Sequence, residues 1–488
     1  MQYCTPEQAG ISSVTVLKFL KRLEDKCLST HSVLMARGND IFCECYYKPF
    51  DQQFKHRMYS VSKSFVSVAI GFCEQDGLIS LDDAMIKYFP EYVAGKDPAS
   101  LPDATIREML LMETAKEKWS SWFKSGTDDR VRTYFDPFTP KYPHSLHTYD
   151  SSGSFMLGVI VERVTGKPFL KYLQEKALDG IGFSKDAYCL QAPGGHSWGD
   201  SGVMCTSMDL MRFARFVLNK GTWHGKRYLN EAYLTDATAV SVATGDYGFV
   251  NHGNHGYGYQ FWGAPCGCFA MLGMGNQIAL CDPVHDFIFV ITSDNQGNGL
   301  SCDLIYDALY DSIIPALGAP LPEDREAREA LQSFCDGREL FYLPGAANND
   351  FSHTVSGKTF ICELNSMGIK RFRLDFDGDQ GCLCYENEQG EKSLPFGFGR
   401  NVFGKFPQEG YSDLIGTVSQ PGHKYNCACS ADWQEPRKLR IRIQIIDKYF
   451  GNLAMVFGFR DEKHVSVRMS KTAEAFLEEY QGIMNAKA

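Results

Sequence analysis

The sequence is short of positive charge and of long apolar runs. It carries 49 lysines and arginines against 59 aspartates and glutamates, for a formal net charge of -10 at pH 7. A protein that binds nucleic acid needs a basic face to displace counterions from phosphates, so this balance argues against a nucleic-acid partner. No uninterrupted apolar stretch approaches the roughly 18 residues of a membrane helix, so we also expect no membrane partner.

The N-terminus, Met1 to Glu7, lacks both the basic start and the apolar core of a secretory signal. Cysteine, in contrast, is abundant: 17 residues, an odd number, are scattered along the chain, and a secreted protein would risk mispairing them. Cys-x-Cys spacing is tighter than a structural zinc site prefers. We therefore expect buried, reduced thiols in a cytoplasmic protein. The four Cys-x-Cys pairs are Cys43/Cys45, Cys266/Cys268, Cys382/Cys384 and Cys427/Cys429.

Apolar periodicity divides the chain into an α/β part over residues 1–320, a charged connector over 321–345, and a β-rich part over 346–488. In the first part, strand-like runs flank a helical middle, which predicts a sheet built from both ends of the domain with a helical insertion. A Gly38-Asn39 turn is expected to join the first two strands. The strand-like runs are 31–37, 40–47, 257–262, 268–272, 278–281 and 287–293.

The β-rich part shows polar–apolar alternation, as at Arg371–Phe376 and Arg440–Ile445, which is typical of half-buried strands. Thr472–Met484 is expected to be a closing helix. Acidic residues at 375, 377 and 379 have calcium-loop spacing, but Gln380 stands where that loop requires glycine, which favours a hairpin turn.

Ser60-x-x-Lys63 opens a segment that is apolar on nearly all sides, which predicts a helix buried within a domain. A serine hydroxyl is a poor nucleophile without a base in hydrogen-bond reach, and a lysine one helical turn later lies on the same face. Burial favours the neutral amine, so such a lysine can exchange protons. The N–H of Ser60 is a candidate oxyanion donor at the helix start.

The Ser-x-x-Lys spacing alone does not decide between chemistry and structure. The alternative makes Ser60 a helix cap and Lys63 a solvated lysine. A second copy, Ser121-x-x-Lys124, lies in a segment that does not resemble the start of a buried helix.

Two further segments offer candidate groups. Tyr149 precedes a predicted helix, and a phenol beside an ammonium can act as a general base, while Ser151 can contact substrate. The alternative is a packed tyrosine ring and a capping serine. Between two predicted strands, Gly273 and Gly275 permit close approach of a ligand, and the N–H of Met274 is a candidate oxyanion donor. The alternative there is a glycine-rich hairpin turn.

The order of these motifs resembles the serine β-lactamase-related hydrolases, which include class C β-lactamases, penicillin-binding DD-peptidases and esterases. Members share a Ser-x-x-Lys motif on a buried helix, a Tyr-x-Asn/Ser loop and a glycine-containing motif on a sheet strand. Further matching segments extend the resemblance over residues 1 to about 320: Met58–Phe65, Gly77–Asp83, Tyr88–Pro90 and Ser201–Leu210.

The resemblance implies a β-lactamase/transpeptidase-like α/β fold, with an antiparallel sheet flanked by helices. It also implies an acyl-enzyme on Ser60, proton transfer by Lys63 and Tyr149, and neither metal nor organic cofactor. The chain departs from the family at the third motif, where Met271 or Gly273 stands in place of the usual Lys or His. That cation contributes to recognition of a substrate carboxylate, so its absence favours the esterase and amidase branch and a small acyl or peptide-like substrate.

Two alternatives stay open at this point. One is a β-lactamase, DD-peptidase or D-aminopeptidase, and the other is a catalytically silent scaffold that binds a ligand or partner. The sequence does not indicate an oligomeric state.

Overall fold

A computed structural model describes residues 1–97, 101, 104–114, 129–135, 146–245, 255–345, 349–416, 418–473 and 476–488. The chain forms two compact units. The first contains Met1–Glu339 and Asp413–Gly416, and the second contains Leu340–Ser412 and Thr417–Ala488. The junction at residue 340 lies inside the stretch expected to be a connector.

Most helices belong to the first unit. They are α1 (Ser13–Asp25), α2 (Ser62–Gln75), α3 (Pro90–Val93), α4 (Ile106–Leu111), α5 (Arg130–Phe135), α6 (Ser151–Thr165), α7 (Phe169–Lys176), α8 (Ser207–Leu218), α9 (Glu231–Thr238), α10 (Ser301–Ala308) and α11 (Arg325–Asp336), with α12 (Asp350–Val355) in the second unit. The strands of the first unit are β1 (Gln2–Tyr3), β2 (Thr30–Arg37), β3 (Asp40–Tyr46), β4 (His56–Arg57), β5 (Tyr188–Cys189), β6 (Val203–Cys205), β7 (Thr222–Trp223), β8 (Lys226–Arg227), β9 (Trp262–Gly263), β10 (Phe269–Gly273), β11 (Gln277–Asp282) and β12 (Phe287–Ser293).

The central sheet of the first unit has the order β1-β3-β2-β12-β11-β10-β9. All its pairings are antiparallel except β1 with β3. Strands from the two ends of the unit meet where β2 pairs with β12, with Val33 opposite Ile291. This confirms the expected sheet built from both ends around a helical middle.

Helices α1, α10 and α11 share a hydrophobic core with one face of this sheet, through side chains such as Phe19, Ile305 and Phe289. Helix α8 packs against β2, β11 and β12. Its capping box, in which Thr206 and Asp209 satisfy each other's backbone N–H groups, sets where the helix begins. Helix α11 packs on α1 and β3, so the charged stretch before residue 340 is part of the first unit.

Helix α2 is buried on all sides from Ser62 to Cys73, as its apolar sequence predicts. It packs against α6 and α7. The Phe65 ring stacks on Phe213 of α8 at a centroid distance of 3.7 Å, which ties α2 to the helix beside the sheet. The 3₁₀ turn that leads into α2, Tyr59–Val61, contacts β10 of the sheet.

The second unit is built on ten strands, which confirms the β-rich prediction. They are β13 (Thr359–Cys362), β14 (Arg371–Asp377), β15 (Gln380–Asn387), β16 (Gly390–Phe398), β17 (Val402–Tyr411), β18 (Ser419–Glu435), β19 (Lys438–Ile446), β20 (Phe450–Phe459), β21 (His464–Ala473) and β22 (Gly482–Lys487). Neighbours pair antiparallel in the order β16-β15-β14-β13-β22-β21-β20-β19-β18-β17. A short parallel pairing of β16 with β18 closes the sheet on itself. The segment with calcium-loop spacing is the tight turn between β14 and β15, as expected.

Two local predictions are wrong. The closing helix expected over Thr472–Met484 is instead the end of β21, a short 3₁₀ turn at Glu478–Tyr480 and the start of β22. Strand β22 pairs with both β13 and β21, and these ladder hydrogen bonds outweigh its local helical pattern. The strand expected over 257–262 is reduced to β9, because Gln260 adopts a φ of 63° that breaks the extended backbone.

All 17 cysteines lie in the described part of the chain, and all are free thiols. Across the described residues, no helix combines the length and the apolarity that crossing a bilayer requires.

A buried histidine pair links β2 to β4. His56 Nδ1 bonds to the Arg57 carbonyl at 2.9 Å, and a second bond of 2.8 Å joins His31 Nδ1 to His56 Nε2. His31 also stacks on Phe50. Burial lowers the pKa of His56 to about 3 and holds the pKa of His31 well below its ordinary value. Both rings are therefore neutral in the folded protein at neutral pH.

The histidine pair predicts a loss of stability in acid. The unfolded histidines take up protons near pH ~6.5, whereas the folded pair resists them, so the free energy of unfolding should fall as the pH drops below about 6.5. The expected slope is about 1.4 kcal/mol per pH unit for each histidine. Urea unfolding of wild type and His56→Gln across this pH range measures the slope of the unfolding free energy against pH. The slope of the variant should be smaller than that of wild type by the contribution of one histidine. His353→Gln, at an exposed position, is the control. Equal slopes for all three proteins would contradict the prediction.

Candidate active site

Ser60 lies in a 3₁₀ turn, Tyr59–Val61, that leads directly into α2. Tyr59 adopts a φ of 47°, an uncommon conformation for a residue with a large side chain. No side chain caps the first turn of α2, so Ser60 is not its N-cap. The alternative reading of Ser60 as a cap is therefore wrong, and the Ser60 side chain is partly exposed.

Lys63 joins Ser60 to a distant turn. Its Nζ donates to Ser60 Oγ at 2.9 Å and to the carbonyl of Asp200 at 2.8 Å. The side chain is only 1% exposed, so the alternative reading of Lys63 as a solvated lysine is also wrong. A buried amine with two oxygen acceptors, one of them a serine hydroxyl, has the geometry required for proton exchange with a nucleophile.

Tyr149 approaches the same point from the start of α6. The Lys63 Nζ lies 5.2 Å from the centroid of its ring. The ring stacks on Trp262 of β9 at 5.6 Å, and Asp150 caps the helix that follows by accepting from the N–H of Ser152. Ser151 is the first residue of that helix and is partly exposed. The cap is thus Asp150 rather than the serine proposed as the alternative.

His147 belongs to the same aromatic layer. Its ring lies 5.3 Å from Tyr257 and 6.4 Å from Trp262, the ring on which Tyr149 stacks. Burial lowers the pKa of His147 to about 4, so it is neutral at neutral pH. It is therefore an uncharged ring that shares the neighbour Trp262 with Tyr149.

The third motif forms the turn between β10 and β11, next to the segment Met58–Val61, which carries the candidate nucleophile Ser60. Gly273 passes so close to Met58 that a Cβ at Gly273 would lie 2.4 Å from the Met58 carbonyl oxygen. Gly275 has a φ of 77°, which glycine adopts without strain. The Gln277 amide holds the turn by donating to the carbonyls of Met274 and Ser293 at 2.9 and 2.6 Å. The turn is thus a hairpin that lies against Met58, two residues before Ser60.

Arg57 is a group that the sequence analysis missed. Its guanidinium is fully buried and donates to the carbonyl and hydroxyl oxygens of Ser201 at 3.0 and 2.9 Å. It lies between the rings of Tyr59 and Trp198, 4.3 and 4.5 Å from their centroids. Arg57 therefore fastens the turn that carries Asp200 to the strand before Ser60. The one feature of the sequence that could have indicated Arg57 is its position three residues before Ser60.

Asp200 is the second group that was missed. It directly precedes the segment Ser201–Leu210, which carried part of the family resemblance. No spacing rule marks a residue in that place, and only the fold brings its backbone carbonyl to Lys63. The competing pair, Ser121 and Lys124, lies outside the described residues.

The close approach of Gly273 to Met58 predicts that Gly273→Ala will impair the site. The added Cβ must push β10 or the nucleophile segment away, and a displacement of about 1 Å costs on the order of 100-fold in rate. Hydrolysis kinetics measure kcat/KM, and thermal unfolding monitors the fold. Gly299→Ala is the matched control, because a Cβ there meets open space. Unchanged kinetics in Gly273→Ala would show that the turn does not bear on the site.

Comparisons with known proteins show the family and the fold to which this chain is similar. The family model described as Beta-lactamase matches residues 22–308. A 6-aminohexanoate-dimer hydrolase from Paenarthrobacter ureafaciens is 27% identical over 290 residues, which span 55% of this chain and 73% of that protein. A beta-lactamase from Lysobacter lactamgenus is 26% identical over 182 residues, 33% of this chain and 46% of that one.

Among solved structures, a penicillin-binding protein homologue from Caulobacter crescentus superposes with a TM-score of 0.50 at 18% identity. The match covers 64% of this chain and 99% of that structure. At this identity the likeness concerns the fold of the first unit.

Proposed function

The chain belongs to the Beta-lactamase family, and from that premise we propose that Ser60 is the nucleophile of a serine hydrolase and forms an acyl-enzyme with its substrate. The protein is a hydrolase of the esterase and amidase type. The observation that carries the assignment of Ser60 is the 2.9 Å hydrogen bond from the buried Lys63 amine to its hydroxyl. The Tyr149 ring beside the same amine supports a two-residue proton shuttle.

In the proposed reaction, Ser60 Oγ attacks the carbonyl carbon of an ester or amide. Its proton passes to the Lys63–Tyr149 pair and then to the leaving group as the bond to the acyl carbon breaks. The N–H groups of Ser60 and Met274 are the proposed oxyanion donors. A water molecule, deprotonated by the same pair, then releases the acyl group and restores the Ser60 hydroxyl.

The third motif supports the choice of substrate class. No lysine or histidine occurs between Met271 and Gly275, and the Met274 side chain is 39% exposed. This segment therefore presents backbone groups to a substrate. It presents no cation that could bind a substrate carboxylate. Similarity to a 6-aminohexanoate-dimer hydrolase supports a small amide-containing substrate.

Similarity to a beta-lactamase keeps β-lactam hydrolysis as the second candidate. Ser151, Gly273 and Gly275 are proposed to line the acyl pocket in either case.

Covalent labelling tests the nucleophile. A fluorophosphonate probe should modify Ser60 in the folded wild type, and peptide mass spectrometry identifies the site. Ser60→Ala should abolish labelling and ester hydrolysis. Lys63→Met and Tyr149→Phe should each slow hydrolysis by roughly 100- to 10,000-fold, the range for loss of general acid–base catalysis. Ser121→Ala, in the second Ser-x-x-Lys, is the matched control and should behave as wild type. An unlabelled Ser60 would favour the silent scaffold.

A substrate panel tests the esterase and amidase assignment. Loss of a charge-assisted hydrogen bond to a substrate carboxylate costs about 1.5–3 kcal/mol, or roughly 10- to 100-fold in rate. We therefore expect kcat/KM for a short-chain p-nitrophenyl ester to exceed that for nitrocefin. Parallel assays of Ser60→Ala measure the background hydrolysis that does not depend on Ser60, and this background is subtracted from the wild-type rate. Rapid nitrocefin turnover without ester hydrolysis would instead assign a β-lactamase.

A further inference from the structure

One of the four Cys-x-Cys pairs, all of which lie within the described residues, departs from the expected burial. Cys382 and Cys384 of β15 are both partly exposed. They are the one pair whose two residues both contact solvent. In each of the other pairs at least one cysteine is buried: Cys43/Cys45, Cys266/Cys268 and Cys427/Cys429.

The two thiols of β15 lie side by side on one face of the sheet. Alternate residues of a strand share a face, and the sulfur atoms of Cys382 and Cys384 are 3.8 Å apart. Cα atoms two residues apart on a strand are separated by about 6.8 Å, which is at the upper limit for a disulfide. The extended backbone therefore opposes a disulfide, although the sulfur atoms remain close enough to share one ion.

The separation of the two sulfur atoms is the one that a metal ion requires. Two thiolates that each lie ~2.3 Å from a tetrahedrally coordinated ion are about 3.8 Å apart. The sulfur atoms of Cys382 and Cys384 already have this separation. Thiolates select soft, thiophilic ions such as monovalent copper and divalent zinc. Such an ion can therefore bridge the pair without a change in the pairing of β15.

Side chains of both neighbouring strands surround the pair. From β16, the Ser393 hydroxyl lies 3.1 Å from the Cys382 sulfur. From β14, Asp375 Oδ2 lies 3.9 Å from the Cys384 sulfur, and the Arg373 guanidinium donates to the same oxygen at 3.0 Å. The charge of Arg373, which lies 4.0 Å from the Cys384 sulfur, is thus paired with a carboxylate. It therefore opposes a bound cation less than an unpaired guanidinium would.

A cavity beside the pair leaves room for further ligands of an ion. Cys384 and Ser393 line this cavity, whose volume is about 320 Å³. Within the described chain, no third histidine, cysteine, aspartate or glutamate completes a metal-ligand cluster with the pair. A structural zinc site is closed by four protein ligands. An ion held by this pair would instead keep open positions, which is typical of a site that exchanges its ion.

We propose that Cys382 and Cys384 form a binding site for a soft, thiophilic metal ion whose remaining positions are filled by water or small ligands. Burial raises the pKa of Cys384, so its thiol is protonated in the free protein at neutral pH. Each sulfur–metal bond forms as the thiol proton leaves to water, and the ion keeps its oxidation state. Both cysteines lie in the second unit, so the inference does not depend on the proposed role of Ser60.

Binding of cadmium tests the site, because Cd²⁺ is a soft ion whose bonds to thiolates give an ultraviolet charge-transfer band. The reduced whole chain is titrated with Cd²⁺ against a competing chelator. Cys382→Ser and Cys384→Ser should each weaken binding by roughly 100- to 10,000-fold, the gain expected from two linked ligands over one. Cys427→Ser is the matched control and should bind as wild type, because Cys427 and Cys429 have the same 3.8 Å separation but are buried.

Alkylation maps the site in the wild-type protein, so the test does not depend on whether the serine variants fold. Iodoacetamide should modify Cys382 and Cys384 in the free protein, and bound Cd²⁺ should slow both reactions, as peptide mass spectrometry measures. Cys27, which is exposed, should react at the same rate with and without the ion.

Three results would overturn the inference. The first is wild-type affinity for Cd²⁺ in both Cys382→Ser and Cys384→Ser. The second is loss of the charge-transfer band in Cys427→Ser, which would place the ion at the buried pair. The third is alkylation of Cys382 and Cys384 at an unchanged rate in the presence of Cd²⁺.

Discussion

The site depends on one buried amine, that of Lys63, which must find hydrogen-bond partners because burial removes its water. Two of these partners are the Ser60 hydroxyl, one helical turn away, and the Asp200 carbonyl, far along the chain. A buried charge without such partners would cost several kcal/mol. The surrounding segments must therefore place oxygen atoms around the Lys63 amine. The hydrogen bond from Arg57 to the Ser201 carbonyl helps to hold one of these segments in place.

The apolar surroundings of α2 follow from the same requirement. A helix that keeps its lysine from water has to be enclosed, and α2 packs against α6, α7 and α8. Close packing then extends to the sheet, where Gly273 meets the Met58 carbonyl with no room for a side chain. The position of Ser60 therefore depends on this packing, because a shift of β10 or α2 would move it.

Membership of the Beta-lactamase family defines the scaffold and the reaction class, while the choice of substrate lies in local groups that vary on the same fold. In this chain the end of β10 and the turn that follows it carry Gly273, Met274 and Gly275, with no lysine or histidine among them. The rings of Tyr149, Trp262, Tyr257 and His147 pack together in one aromatic layer. The absence of a lysine or histidine between Met271 and Gly275 is the reason for proposing a substrate recognised through its carbonyl group rather than through a carboxylate.

The sequence by itself determined what depends on local spacing. A serine and a lysine three residues apart at a helix start share a face, and alternation of polar and apolar residues marks β14 and β19. It did not determine β22, whose short segment has a helical pattern, because pairing with β13 and β21 decides its conformation. It did not determine the bend at Gln260 either, where the side-chain amide and the backbone N–H both bond to the Leu110 carbonyl of α4. Nor did it link Arg57 to Ser201 or Asp200 to Lys63. Only the tertiary structure brings these groups together, because their proximity arises from contacts between segments over a hundred residues apart, which no local periodicity encodes.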